Sequence, residues 1–341
     1  MSDLRSYTVR ALQYGLAVAA LAWLLQQTDW TRSFRLLVSL SRGTVAALFL
    51  ITLLEFVSRF SMWHSLLNIR YESTFGVAAR IDLVIKFVNH VIPSRVSGHS
   101  MAPAVLHHYT DHDWTESVAL AGLNTGLYAL LYGAVAGIGL LFFATEFSYG
   151  VLLLVGLSTA VYVTVAAVIL LTGRNAQRVT GIGGRGAALL ERIPYAGEKM
   201  SVLAAKLPSF AGESATTFRE LCRARRSLAV YAAAWTCTLM VFPGLRVWLL
   251  LAAADVSSVA AWLLPLALVV GYSVTVMPLT PGGIGVAEAS ASLVLISLGI
   301  PEQVAASVIV VDRLLGVYLP ALVGWVPVSR LDLRELVSDW T

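Results

Sequence analysis

Met277-Pro278-Leu279-Thr280-Pro281-Gly282-Gly283-Ile284-Gly285-Val286-Ala287-Glu288 is the stretch on which the fold turns. It follows an apolar run, yet Pro278 and Pro281 remove backbone donors and disfavour helical geometry in the residues before them. Gly282, Gly283 and Gly285 open backbone conformations closed to other residues. A helix then restarts, so its free N–H groups and positive dipole end face the break. That is an anion-binding arrangement suited to a phosphate. An ordinary tight turn would account for one Pro and one Gly, but not for this density or for Glu288.

The flanking sequence places this break in a membrane. Hydrophobic residues make up 57% of the 341 residues and charged residues 13%, with a mean hydropathy of +0.76. A soluble domain carries roughly 25% charged residues. Crossing ~30 Å of hydrocarbon takes ~20 apolar helical residues. Runs of that kind extend from Leu12 to Leu25, Thr44 to Leu54, Val118 to Ala144, Gly150 to Leu171, Leu228 to Leu251, Val259 to Val276 and Val304 to Val328. The second continues through Glu55 and Arg59 to Leu67. The first looks like a signal-peptide hydrophobic region, but Gln26, Gln27, Asp29 and Trp30 follow it without a small-residue cleavage site. It is expected to stay as a first helix. Cys222 and Cys237 give neither a disulfide framework nor metal-ligand spacing.

Basic residues suggest an orientation. Of 24 Lys and Arg, ten fall between Arg174 and Arg226, against four acids. Cytoplasmic loops accumulate Lys and Arg, so this segment should lie inside, and Arg330 and Arg334 put the C-terminus there too. Four crossings from Leu228 to Val328 join those ends. An N-terminus inside then needs an even number of crossings before Arg174, and the helices near residues 12, 48, 130 and 160 supply four. The stretch from Val77 to about Tyr109 must enter and leave on one side. Its core, Ile81 to His90, is too short and polar to span, and a helix–Pro–helix hairpin broken at Pro93 fits. Irregular backbone at membrane depth is tolerated where protein buries it or water lines it.

The expected architecture is all-α: one polytopic transmembrane bundle over residues 1–341 with two broken, re-entrant hairpins. Residues 1–172 carry the break near 93, 173–227 form a basic cytoplasmic segment, and 228–341 carry the break near 281. Each break has Pro, two residues, an aliphatic (Val96 or Ile284) and a small residue before the next helix. That likeness suggests an inverted repeat, whose interface is where transporters place substrate sites. In 173–227, Ala187 to Arg192 and Lys199 to Leu207 read either as amphipathic helices drawn to anionic headgroups or as a solvated loop. The sequence pI of 9.1 therefore points to a membrane surface. Nucleic acid is not expected as a partner, since no compact soluble basic domain exists to bind it.

Ionisable residues inside the spans mark function or pairing, because each costs ~2.5–3.5 kcal/mol at a helix centre. Glu55 and Arg59 sit one turn apart and can pair, and Asp82 and Lys86 repeat the spacing. Glu288 has no local partner; Arg313, beside Asp312, could meet it across the bundle or hold a lipid phosphate through its planar fork. His108 and His112 are four apart, a spacing that can hold a metal, but no fuller ligand motif surrounds them and a hydrated loop is the plainer reading. Trp63, Trp114, Trp235, Trp248, Trp262 and Trp325 read as interfacial aromatics near helix ends.

The string from Pro281 to Glu288 resembles the signature of the lysylphosphatidylglycerol synthetase/flippase transmembrane family. Asp312-Arg313-Leu314-Leu315-Gly316-Val317-Tyr318-Leu319-Pro320 through Gly324 is similar to that family's last helix, and Phe87-x-Asn89, then Pro93 to Gly98, to its first broken segment. Where many members place Gly and an acid after that first Pro, Ser97, Gly98 and His99 stand here. The chain ends at Thr341 soon after its last span, so the resemblance implies the flippase-like half without an aminoacyl-transferase domain.

Both lines of reading converge on a multi-pass cell-membrane protein that moves a phosphate-bearing lipid, either an anionic phospholipid or a polyprenyl-phosphate-linked one. The expected contacts are Asn89, Pro93, Arg95, Gly98, Pro281, Gly282, Gly283, Gly285, Glu288 and Arg313, with Glu288 binding a cation or coupling protons. No cofactor and no catalytic activity are expected, and the absence of a Walker-type glycine loop excludes ATP hydrolysis. Two alternatives remain. One is an intramembrane enzyme on polyprenyl phosphates using Asp111, His112 and Asp113. The other is a non-transporting subunit that recruits a cytoplasmic lipid or glycan synthase.

Overall fold

The computed structural model describes residues 40–70, 72–91, 98–174, 217–257, 259–276, 280 and 283–329. The run from Leu12 to Leu25, nearly all of the basic segment, and Pro93, Arg95, Pro281 and Gly282 lie outside the described residues. Among the described residues the architecture is helical, without a strand. Helix α1 is Arg42–Leu67, α2 Phe75–Val91, α3 Gly98–Tyr109, α4 Trp114–Phe142 and α5 Tyr149–Arg174. Helix α6 runs over Arg225–Ala253, α7 over Ala261–Val276, α8 over Val286–Ser297 and α9 over Glu302–Val328. Starts are capped where sequence allows. Ser41 accepts from the Thr44 amide at 3.0 Å, and Asp113 with Glu116 forms a capping box on α4.

Length separates two kinds of helix. The apolar spans of α1, α4, α5, α6 and α9 run 23 to 29 residues, or about 34–44 Å at ~1.5 Å per residue, enough to cross ~30 Å of hydrocarbon. Helix α2 has 17 residues, α3 and α8 have 12 each, and α7 is likewise short. Each is shorter than the ~20 residues a crossing usually takes. Val259 to Val276, which hydropathy alone suggests as a crossing, is one arm of a hairpin whose other arm is α8.

Contacts show which way each hairpin faces. Arg70, just before α2, pairs with Glu116 at 3.0 Å, just after α3, and reaches Glu220 at 3.8 Å. Both outer ends of the α2/α3 hairpin therefore sit at the end of the bundle where Arg223, Arg225 and Arg226 precede or open α6. The α7/α8 hairpin opens at the opposite end. There Phe142 meets the Trp262 ring at 5.9 Å, and Leu251, Leu264, Phe143 and Ile300 share one apolar core. A second core at the basic end joins Leu66, Leu106, Leu120 and Leu221. Among the described residues, the two hairpins thus open at opposite ends of the bundle.

Exposure is reversed relative to a soluble protein. Phe49, Leu53, Leu141 and Leu322 are 59, 60, 82 and 70% exposed, while Glu55, Arg246 and Asp312 are at most 3%. Such a surface requires lipid as its solvent. Inside, small residues let backbones approach. A Cβ on Gly133 would stand 3.1–3.2 Å from Val163 and Tyr162, so glycine permits the α4–α5 contact. Trp235, expected at an interface, is instead fully buried against Tyr128 and Tyr132. Its position midway along α6 places it in the core rather than at a helix end.

The arms of the second hairpin cross at Gly271, where a Cβ would lie 2.7 Å from Ala291 Cα; Ser290 donates to the Gly271 carbonyl there. The obstacle is backbone, which cannot rotate aside. Gly271→Leu should therefore lower stability by about 1–3 kcal/mol or more, read as a depressed melting temperature in detergent. A melting curve that overlays the native one would contradict this crossing.

Candidate functional site

Between the two apolar cores lies a buried cluster of charges. On α1, Glu55 Oε1 accepts from Arg59 Nη2 at 2.5 Å, the i,i+4 pair expected from spacing. Glu55 Oε2 accepts from Arg246 Nη1 on α6. Arg246 reaches further to Asp312 Oδ1 on α9, at 2.8 Å through Nε and 2.7 Å through Nη2. Tyr272 on α7 donates to Asp312 Oδ2 at 2.8 Å. Arg59 Nη2 also donates to the Gly316 carbonyl at 3.0 Å.

Arg313, next in sequence to Asp312, points to a different partner because consecutive helical residues diverge around the axis. Its Nε donates to Glu288 Oε1 on α8 at 2.8 Å, and Tyr318 donates to the same oxygen at 2.5 Å. The guanidinium lies 5.4 Å from the Tyr272 ring centre and 5.7 Å from that of Tyr318, a cation–π cradle. Glu288 Oε2 accepts from the Gly285 amide at 2.7 Å. Gly285 has φ 82° and Gly283 φ 71°, left-handed values that favour glycine. The carboxylate of Glu288 thus takes an amide at the start of its own helix, one of the donors the sequence offers to a phosphate.

Local backbone irregularity aids this wiring. Helix α9 widens to a π turn over Leu314–Tyr318 ahead of Pro320, and α6 does so over Cys237–Val241 ahead of Pro243. Such bulges concentrate at functional positions. Gly316 lies inside the α9 bulge, and a Cβ there would stand 2.5 Å from Arg246 Nη2. Glycine at that position makes room for the guanidinium.

Among the described residues, Arg59 Nη1, Arg313 Nη2 and Asp82 Oδ2 are buried without a hydrogen-bond partner. Buried donors and acceptors normally find partners, so these merit explanation by a bound species. Asp82 is 6% exposed and receives a hydrogen bond from the Trp63 side chain. Lys86, one turn on, feels the fields of Arg59, Asp82, Glu55 and Arg313. The structure thereby brings together Glu55, Arg59, Asp82, Lys86, Glu288 and Arg313. Asn89 is half-buried further along α2, and Gly98 opens α3. Sequence reasoning missed Arg246, Tyr272 and Tyr318. Arg246 had a signal: a lone charge in the apolar run from Leu228 to Leu251 carries the same insertion cost that singled out Glu288.

The histidine-rich turn has structural duties. Helix α3 stops at Tyr109, so His108 and His112 do not share a helix. His112 is buried, contacts Thr110 Oγ1 at 2.9 Å, and its carbonyl meets His107 Nδ1 at 2.9 Å. Burial holds its imidazole below the usual value, against the pull of Glu116. Among the described residues no three metal-capable side chains cluster.

A family model described as the lysylphosphatidylglycerol synthase TM region matches residues 10–324, nearly the whole chain. No curated protein matches the sequence.

The charge wiring predicts a large cost for breaking it. Arg246→Leu leaves Glu55 and Asp312 each short of a cation in a dry interior, a loss of ~3–5 kcal/mol. Thermal unfolding in detergent should register this as a far larger drop than Arg223→Leu, at the basic end. Equal melting temperatures for the two variants would refute the role given to Arg246.

Proposed function

The chain belongs to the lysylphosphatidylglycerol synthase transmembrane family, and on that premise we propose that it translocates a lipid with a phosphate-bearing headgroup. Membership and the apolar spans make it a membrane protein of lipid-related processes. The observation that carries the finer reading is the pair of guanidinium nitrogens, Arg313 Nη2 on α9 and Arg59 Nη1 on α1, which are buried without a partner among the described residues.

Arg313 is fastened through Nε to Glu288 and held between two tyrosine rings, so one edge of its fork is fixed. The other edge remains for a phosphate oxygen, and charge-assisted bonds of this type are strong and directional. Acyl or prenyl tails would stay in the lipid beside the exposed apolar faces of α1 and α9. Hairpins that penetrate from opposite faces supply the two arms against which alternating access works. The basic end carrying Arg70, Arg223, Arg225 and Arg226 is the cytoplasmic one on the positive-inside rule, in a cell membrane. No covalent chemistry is needed. The Asp111, His112 and Asp113 cluster fits structural work better than catalysis, since Asp113 caps α4 and His112 is tied to its own turn.

Liposomes containing the purified chain and fluorescent anionic phospholipid or polyprenyl phosphate test this. Scrambling should exceed that of protein-free liposomes, and Arg313→Ala should slow it about 10- to 100-fold, the equivalent of one charge-assisted bond of ~1.5–3 kcal/mol. Arg313→Lys, which keeps the charge without the fork, should recover only part. A monodisperse Arg313→Ala protein that scrambles at the native rate would sink the site.

A further inference from the structure

Among the carboxylates of the charged centre, three have both oxygens engaged. Glu55 is bonded to Arg59 and Arg246, Asp312 to Arg246 and Tyr272, and Glu288 to Arg313, Tyr318 and the Gly285 amide. Asp82 differs. It is 6% exposed, and among the described residues its Oδ2 has no hydrogen-bond partner and it forms no ion pair. A carboxylate oxygen left bare in a dry interior is costly, and such groups generally escape by becoming neutral. We propose that Asp82 is a proton-binding site, and that its proton is carried together with the anionic headgroup. This rests on the lipid-translocation reading above.

The chemistry is a simple equilibrium: a proton from water adds to Oδ2, forming an O–H bond and converting carboxylate to carboxylic acid. A metal cation suits the position poorly, because the described residues show no cluster of three metal-capable side chains, and Na⁺ or Ca²⁺ needs a shell of several oxygens. Charges of both signs surround the position. Arg59 and Glu55 face Asp82 from α1 with opposing fields, and Lys86 lies on its own helix. From α9, Arg313 acts on Lys86, while residues 319–328, which pack along α2, carry no titratable side chain. Helix α3 carries His99 in its first turn, and His107 and His108 at its far end lie against Trp114 and Tyr109.

Counting charges shows why proton and lipid should travel together. Glu55, Asp82, Glu288 and Asp312 balance Arg59, Lys86, Arg246 and Arg313 one for one. Protonating Asp82 leaves the centre with one excess positive charge, which a monoanionic phosphate on the free edges of Arg313 and Arg59 would cancel. Each filled or emptied state is then neutral, whereas phosphate alone or proton alone would leave a net charge in low dielectric. Asp82 also stands where such a change would be felt, since α2 is held to α1 through Trp63 and to α9 where Gly324 abuts the Leu83 carbonyl.

The test uses full-length protein in phosphatidylcholine liposomes with a trace of labelled phosphatidylglycerol and an imposed pH difference. One proton per lipid predicts that the label accumulates in the alkaline leaflet by roughly tenfold per pH unit. Because the step is electroneutral, a potassium–valinomycin potential should not shift that ratio. Asp82→Asn should distribute the label evenly whatever the gradient, and Asp82→Glu should restore the response. Even distribution by the native chain, or accumulation by Asp82→Asn, overturns the proposal while leaving lipid translocation standing. If the native chain moves no lipid, infrared spectroscopy decides separately. In protein loaded with phosphatidylglycerol, a protonated-carboxyl C=O band near neutral pH that vanishes in Asp82→Asn supports the proton site, and its absence from the lipid-loaded native protein refutes it.

Discussion

The cost of a charge in hydrocarbon governs this molecule. Among the described residues, eight ionisable side chains converge inside the bundle, and each would be expensive alone, so every helix that carries one is constrained by where its partners stand. Arg246 draws α1 and α9 to α6, because its guanidinium bonds both Glu55 and Asp312. Arg313 draws α9 to α8 through Glu288. Two adjacent residues of one helix therefore hold two separate parts of the bundle. The π turn and Gly316 follow from the same demand, since a guanidinium and a backbone carbonyl must fit where an ordinary helix turn would be filled.

The second constraint is backbone satisfaction. Arms of 12 to 17 described residues fall short of the ~20 a crossing usually takes, and they pack as hairpins among longer helices. Close glycine contacts make that burial possible, at Gly271 against Ala291 and at Gly244 against Pro265. The hairpin from the basic end brings Asp82 and Lys86 to the centre, and the hairpin from the other end brings Tyr272 and Glu288. What each supplies differs. The first contributes an acid with a bare oxygen, and the second contributes the carboxylate that anchors Arg313.

Much of the plan was legible in sequence because it depends on local quantities. Apolar run length marks spans, Pro and Gly density marks the break before Glu288, and i,i+4 spacing marks Glu55 with Arg59. The likeness of the Pro281–Glu288 string to one family agrees with the match over residues 10–324. Hydropathy misread Val259 to Val276 as a crossing because it measures composition and not the depth at which a chain turns back. It also put Trp235 at an interface, where tertiary packing buries it against Tyr128 and Tyr132.

By itself, then, the sequence determined that the chain is a helical membrane protein, which residues are costly enough to need partners, and where one helix is broken. The tertiary structure decided which partner each charge takes, because the pairing spans separations such as Glu55 to Arg246 that no local periodicity encodes. It also decided which atoms are left over. Glu288, the acid that stood out in sequence for want of a local partner, is fully bonded in the fold. Asp82, which sequence spacing paired with Lys86, keeps an unfilled oxygen, because Trp63 takes one side of the carboxylate and no described group reaches the other.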